Sequence, residues 1–154
     1  MTTINPYLIF NGNCEEAFNF YKSVFGGEFP YVGKFKDMPE NPEYPVLEEE
    51  KDKIMHISLP ISEETVLMGS DSSSAFGKAT IIGNNITISI NTKSVEEVTR
   101  IYNELSEGGK VSMPLNKTFW GAYFGQFTDK FGIHWMVNCE LAEHKNFEKK
   151  HNKV

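Results

Sequence analysis

The stretch "NCEEAFNFYKSVFGGEF" spans residues 13–29, and "SVEEVTRIYNELSEGGKV", residues 94–111, repeats its plan. Each opens on a small polar residue followed three positions later by glutamate, Asn13/Glu16 and Ser94/Glu97. That pattern is a capping-box-like helix start. In the first, Cys14, Ala17, Phe18, Tyr21, Val24 and Phe25 recur at helical spacing; in the second, Val95, Val98, Ile101, Tyr102 and Leu105 do so. Such stripes predict helices over 14–25 and 95–107 that bury one face. Both end at Gly-Gly, Gly26-Gly27 and Gly108-Gly109, as helix C-termini commonly do.

Strand-like segments surround each helix in the same order. The first half reads "INPYLIF" (4–10), helix, about 28–36, "KIMHISLPI" (53–61) and "ETVLMGS" (64–70). The second reads "NNITISIN" (84–91), helix, "KVSMP" (110–114), "AYFGQFT" (122–128) and "GIHWMVNC" (132–139). Ile86, Ile88 and Ile90 alternate with polar residues, which predicts a strand with one dry face. The expected fold is α+β: two βαβββ modules, about 4–71 and 84–140, forming curved mixed sheets around a cleft with helices on the outer faces. A linker, 72–83, joins them within a single domain of residues 1–140. Residues 141–154 read as a charged tail with one short fraying helix, and its His144 and His151 are given no function.

The net charge of −6 argues against non-specific nucleic-acid binding. All of it sits in one place. "DMPENPEYPVLEEEKD" (37–52) holds seven acids and one lysine, 1 − 7 = −6, so the remainder balances to zero. With Pro39, Pro42 and Pro45, this reads as an extended, solvated loop. It could serve as an acidic lid or partner-binding loop; a solubilising surface loop is the plainer alternative. No apolar run reaches membrane-span length, and the N-terminus lacks the basic start of a secretory signal. Two cysteines, Cys14 and Cys139, make no disulfide framework, so the cytoplasm is the expected compartment.

The doubled plan, with "PYLIFNGNCEEAFNFYKSVFGGE" and "FWGAYFGQFTDKFGIHWMVNC", resembles the vicinal oxygen chelate superfamily, which includes glyoxalase I, bleomycin-resistance proteins and extradiol dioxygenases. The "FWG…FG…TDKFGIHWMV" stretch is similar to its PhnB-like branch. The resemblance covers residues 4–140 and implies a homodimer. Metal-dependent members place His/Glu-type ligands at four strand positions, which here fall on Pro6, near Met68, near Thr87 or Ser89, and on Met136. Proline, thioether and hydroxyl are poor ligands for zinc, nickel or iron. The expectation is therefore no metal and no cofactor. Branch members often carry a methyltransferase label, but no glycine-rich loop after a strand offers a nucleotide or S-adenosylmethionine cradle here.

Candidate ligand-binding residues are His56, Trp120, Tyr123, Phe124, Gln126, His134 and Met136; no catalytic residue is assigned. His134 shares a strand face with Met136 and could bind a substrate, act as a base or ligate a metal. The alternative is a rim histidine bonded to water or backbone. His56 shares a face with Ile54 and Ser58, a semi-polar wall. Were His56 and His134 to converge, Asp71 or Glu63 would still have to complete a metal site. Trp120, Tyr123, Phe124 and Gln126 offer apolar bodies with polar tips, with aromatic core or dimer packing as the alternative. Gly121 and Gly125 would let a ligand or a neighbouring sheet approach. Trp135 and Val137 should face the core. Cys14, in a helix first turn opposed by Glu15 and Glu16, is no nucleophile candidate, and Cys139 reads as inert.

The leading expectation is a protein that binds a small apolar or aromatic molecule in an aromatic-lined cleft without the usual four-ligand metal site. One rival is a metal-dependent lyase, isomerase or dioxygenase with displaced ligands. The other is an interaction module acting through the acidic 37–52 loop.

Overall fold

The computed structural model describes residues 1–77 and 79–141. The expected tail helix, with His144 and His151, lies outside the described residues. The chain divides into two compact units, Met1–Ile81 and Ile82–Val154.

The first unit runs β1 (Tyr7–Phe10), α1 (Cys14–Phe25), β2 (Tyr31–Lys34), β3 (Ile54–Pro60) and β4 (Val66–Asp71). Its sheet has the order β1-β4-β3-β2. β1 runs parallel to β4, and the other pairs are antiparallel. The predicted stripe of α1 is the buried one: Cys14, Ala17, Phe18, Tyr21 and Val24 all lie inside. They pack on Leu8, Phe10, Ile57, Leu59 and Leu67, the inward residues of the sheet. Each buried large side chain contributes about 1.5–3 kcal/mol. Phe18 comes so close to the sheet that only glycine fits beneath it: a Cβ on Gly69 would sit 2.6 Å from the Phe18 ring and 2.8 Å from the Leu8 carbonyl.

The second unit repeats the plan with β5 (Ile88–Thr92), α2 (Val95–Leu105), β6 (Lys110–Lys117), β7 (Ala122–Thr128) and β8 (His134–Glu140), in the order β5-β8-β7-β6. α2 buries Val98, Ile101 and Leu105 against Phe127, Trp135 and Val137. Trp135 and Val137 are core residues, as the alternation predicts.

Several boundaries differ from the sequence reading. Asn13 makes no side-chain cap; the first turn of α1 is held by Asp71 instead. Ser94 does cap α2, accepting from the Glu97 N–H at 3.1 Å. α2 ends at Leu105, short of the expected 107. β5 begins at Ile88, leaving Ile86 73% exposed, and Ile88 and Ile90 are only half-buried. The dry face is incomplete because β5 is an edge strand, flanked on one side only. β6 continues through Pro114 to Lys117, which an edge strand permits because one row of its N–H groups has no ladder partner to lose. The acidic stretch is not uniformly extended. It contains 3-10 turns at Glu48–Glu50 and, across its start, Phe35–Asp37.

Candidate functional site

Two buried aspartates set the frame. Asp71 ends β4; its Oδ1 accepts from the N–H of Gly12 (2.9 Å) and Cys14 (3.0 Å), and its Oδ2 from that of Ile54 (2.9 Å). One carboxylate thus fixes the start of α1 and the start of β3. Asp129 does the same for the β7–β8 turn. Its Oδ1 accepts from Phe131 (2.8 Å) and Ile133 (3.0 Å), and its Oδ2 from the Trp135 indole (2.8 Å). The D-x-F-G motif is therefore an architectural lock, with Gly132 at φ +89° closing the turn.

In the first unit, the face not covered by α1 carries Tyr7, His56, Ser58, Met68 and Tyr31. The ladders align Tyr7 with Met68, Met68 with Ser58, and Ser58 with Tyr31. The β2–β3 register slips between Gly33 and Lys34, where Gly33 opposes His56 and Lys34 opposes Ile54. This bulge turns Ile54 into the core, 1% exposed, so Ile54 does not share the face of His56 and Ser58 as strict alternation predicts. His56 is framed by two tyrosines. The Tyr7 hydroxyl and His56 Nδ1 are hydrogen-bonded at 3.0 Å, and the Tyr31 ring centroid lies 5.8 Å from the imidazole. Neither tyrosine was singled out from the sequence; their strand parity was the available signal.

A hollow of about 610 Å³ adjoins this face, walled by Ile9, Met55, Ser70, Phe35, Met38 and Phe76, among others. Phe76 stacks between residues of the preceding loop, with its centroid 6.2 Å from Phe35 at 20° and 5.3 Å from Tyr44 at 13°. Glu50, from the acidic stretch, is buried behind it. Burial works against its charge, but the Ser74 N–H, the Ser73 and Ser74 hydroxyls and nearby Lys53 more than offset this and hold its carboxyl below the usual glutamate range.

In the second unit, Phe124, Gln126 and Thr128 of β7 align with Asn138, Met136 and His134 of β8. They form the face turned away from α2. Trp120 joins them at its edge, its ring 6.0 Å from Phe124 and itself 44% exposed. The structure thus brings Trp120, Phe124, Gln126, Met136 and His134 onto one surface. It does not bring Tyr123, which aligns with Cys139 on the opposite, α2-facing side. Gly125 lies on that side too. A Cβ there would meet the Tyr102 ring at 3.1 Å, so this glycine admits a helix side chain. Gly121 sits in a turn at φ +85°.

His134 is fully engaged. Its Nε2 donates to the Gly83 carbonyl (3.0 Å), which leaves Nδ1 to accept from the Thr128 hydroxyl (2.8 Å). Asp71 has both oxygens committed. Among the described residues, no group of three or more His, Cys, Asp or Glu side chains could hold a metal ion. Cys14 is buried, and burial first, then the Asp71 and Glu15 charges, push its thiol far above the ordinary range.

A model of the glyoxalase/bleomycin resistance protein/dioxygenase superfamily matches residues 3–137. The chain belongs to this superfamily. Protein YjdN of Escherichia coli (strain K12) is 33% identical over 141 residues, covering 88% of this chain and 93% of that protein. The crystal structure of protein PA1353 from Pseudomonas aeruginosa shares 46% identity at a TM-score of 0.76, over 92% of this chain and 99% of that one. A PhnB protein from Bacillus cereus matches at 23% identity and a TM-score of 0.69, over 90% and 99%, a likeness of fold.

The residues that the resemblance sets at ligand positions lie just before or on β1, on β4, just before or on β5, and on β8. Pro6 precedes β1, and Tyr7 is the residue that lies opposite Met68. Ser89 lies opposite Met136, whereas Thr87 precedes β5. None of Pro6, Tyr7, Met68, Thr87, Ser89 and Met136 carries an imidazole, carboxylate or thiolate.

Proposed function

We propose that this superfamily member binds a small, largely apolar or aromatic molecule and works without the four-ligand metal site of its metal-dependent relatives. The observation that carries this reading is the set of residues at and beside the expected ligand positions: Pro6 with Tyr7, Met68, Thr87 with Ser89, and Met136. Zinc, nickel, manganese and iron(II) sites are built from imidazole, carboxylate or thiolate. A proline, a phenol hydrogen-bonded to His56, two thioethers and aliphatic hydroxyls do not fit such an ion. Displaced ligands find little support, because His134 and Asp71 have their polar atoms committed.

The proposed contacts are taken unit by unit: Trp120, Phe124, Gln126 and Met136 on the surface of the second unit, and, separately, His56 with Tyr7 on that of the first. His134 contributes its ring face, its nitrogens being occupied. Shape, aromatic contact and a few polar groups suffice for such binding. The same reading takes residues 1–140 as one domain, acting as a cytoplasmic homodimer. Among the described residues, no helix is long and apolar enough to cross a membrane.

Elemental analysis of untagged protein, purified without chelator and then loaded with zinc, nickel, manganese or iron(II), tests the metal half. Well under one metal per chain is expected. Near-stoichiometric metal that falls on His56→Ala or His134→Ala overturns the proposal. A thermal-shift screen against aromatic small molecules tests the binding half.

A further inference from the structure

The hollow of the first unit has the build of a binding site in its own right. Its volume, about 610 Å³, lies within the roughly 300–1,000 Å³ typical of small-molecule clefts. Its walls are mostly apolar, from Ile9 and Met55 on the sheet to Phe35, Met38 and Phe76 across from them. The opposing wall is held by polar bonds at both ends. Glu50 accepts from the Ser73 hydroxyl (2.9 Å) and from the Ser74 N–H (3.1 Å) and hydroxyl (3.2 Å). Asn11 accepts from the Ser72 hydroxyl (2.9 Å) and the Thr80 N–H (3.0 Å), and donates to the Thr80 carbonyl (3.1 Å). Phe76, 51% exposed, is thus a ring presented to the hollow by a turn pinned on either side. That is the preorganisation a ligand site gains from.

The charge around it selects further. Asp71 lies in the lining, Glu50 behind it, and the adjoining residues 34–53 carry seven acids against four lysines, of which Lys36 pairs with Asp52 and Lys51 with Glu48. That balance disfavours anions, while the exposed edge of Phe76 and the apolar side chains of Phe35, Met38, Met55 and Ile9 favour a flat apolar body. Ser70 points from the sheet into the hollow and makes no side-chain hydrogen bond among the described residues.

We infer that this hollow binds a flat, mostly apolar molecule, neutral or positively charged, with one polar group reaching the Ser70 hydroxyl. The inference rests on the small-molecule-binding reading above and places a binding site within residues 1–81.

Titration calorimetry with proflavine, a planar cation, and 8-anilinonaphthalene-1-sulfonate, an anion of similar size, tests it. Wild type, Ser70→Leu, Phe76→Ala and Trp120→Ala are compared after circular dichroism shows each folded. Saturable proflavine binding, at least tenfold weaker in Phe76→Ala and Ser70→Leu, near wild type in Trp120→Ala, and tighter than the sulfonate, is expected. Phe76 is exposed, so its variant stays informative if Ser70→Leu fails to fold. Proflavine binding lost in Trp120→Ala but untouched in the other two overturns this site while the general binding reading stands. Equal or tighter sulfonate binding overturns the charge preference. Failure of wild type to bind either probe or any member of an aromatic library overturns both.

Discussion

Asp71 accepts from three backbone N–H groups, and two of them, Gly12 and Cys14 at the start of α1, lie 57 or more residues earlier in the chain. Reading Asn13 as the cap of α1 from its local spacing overlooks this acceptor, which only the folded sheet brings near. Asp71→Asn puts an amide group where one carboxylate oxygen stood and leaves buried donors unmatched. It is expected to lower unfolding free energy by roughly 3 kcal/mol, read from urea melts at pH 7. Glu50 gives a pH signature. Its folded pKa lies below the ordinary 4.5, so its stabilisation is complete above the unfolded value and drops away as pH falls through the folded one. Urea melts of wild type between pH 7 and 3 should therefore lose stability more steeply than those of Glu50→Gln. Parallel curves would show that the Ser73–Ser74 bonds do not stabilise the charged form.

At the level of elements, both helices were legible because each stripe repeats with the helical period and the apolar face is the one that packs. Central strands were legible for a similar reason: β7 spans the expected residues, and Trp135 and Val137 turn inward. Edge strands were harder to read. With one neighbour, β5 does not bury its alternating isoleucines fully, and β6 tolerates a proline that reads as a stop. The bulge at Met55 is not visible in the one-residue alternation of "IMHISL", which assigns Ile54 to the wrong face. Helix–sheet contact leaves a sharper test in two glycines. A methyl at Gly69 would meet Phe18 at 2.6 Å and a main-chain carbonyl at 2.8 Å, whereas one at Gly125 meets a Tyr102 ring at 3.1 Å and the Leu115 Cα at 3.2 Å. The Leu8 carbonyl belongs to a ladder and cannot retreat; a few tenths of an ångström suffices at Gly125. Gly69→Ala should destabilise by roughly 3 kcal/mol and Gly125→Ala by about 1 kcal/mol. The reverse order in thermal melts would mean that β1 yields more easily than α2.

Across the whole molecule, the doubled βαβββ plan was legible because its helix starts and Gly-Gly pairs repeat at nearly one spacing. The hollow was not, because its wall joins Phe35, Met38 and Phe76 through a buried glutamate in a stretch that reads as solvated loop. Large apolar side chains also stay exposed on the single chain: Phe119 at 97%, Ile81 at 91%, Ile86 at 73% and Ile82 at 69%. Scattered single residues need no explanation, but Phe119 packs edge-on against the exposed Trp120 at 4.9 Å, forming a paired aromatic patch. An isologous contact between two copies would cover such a patch twice over. Light scattering after gel filtration should give twice the chain mass at micromolar concentration. Phe119→Asp should move the mass toward one chain while leaving the circular-dichroism spectrum unchanged, since a side chain 97% exposed buries almost no area within its own fold. A single-chain mass for the wild type across the whole concentration range would remove the homodimer. A dimer indifferent to Phe119→Asp would place the interface away from the aromatic pair.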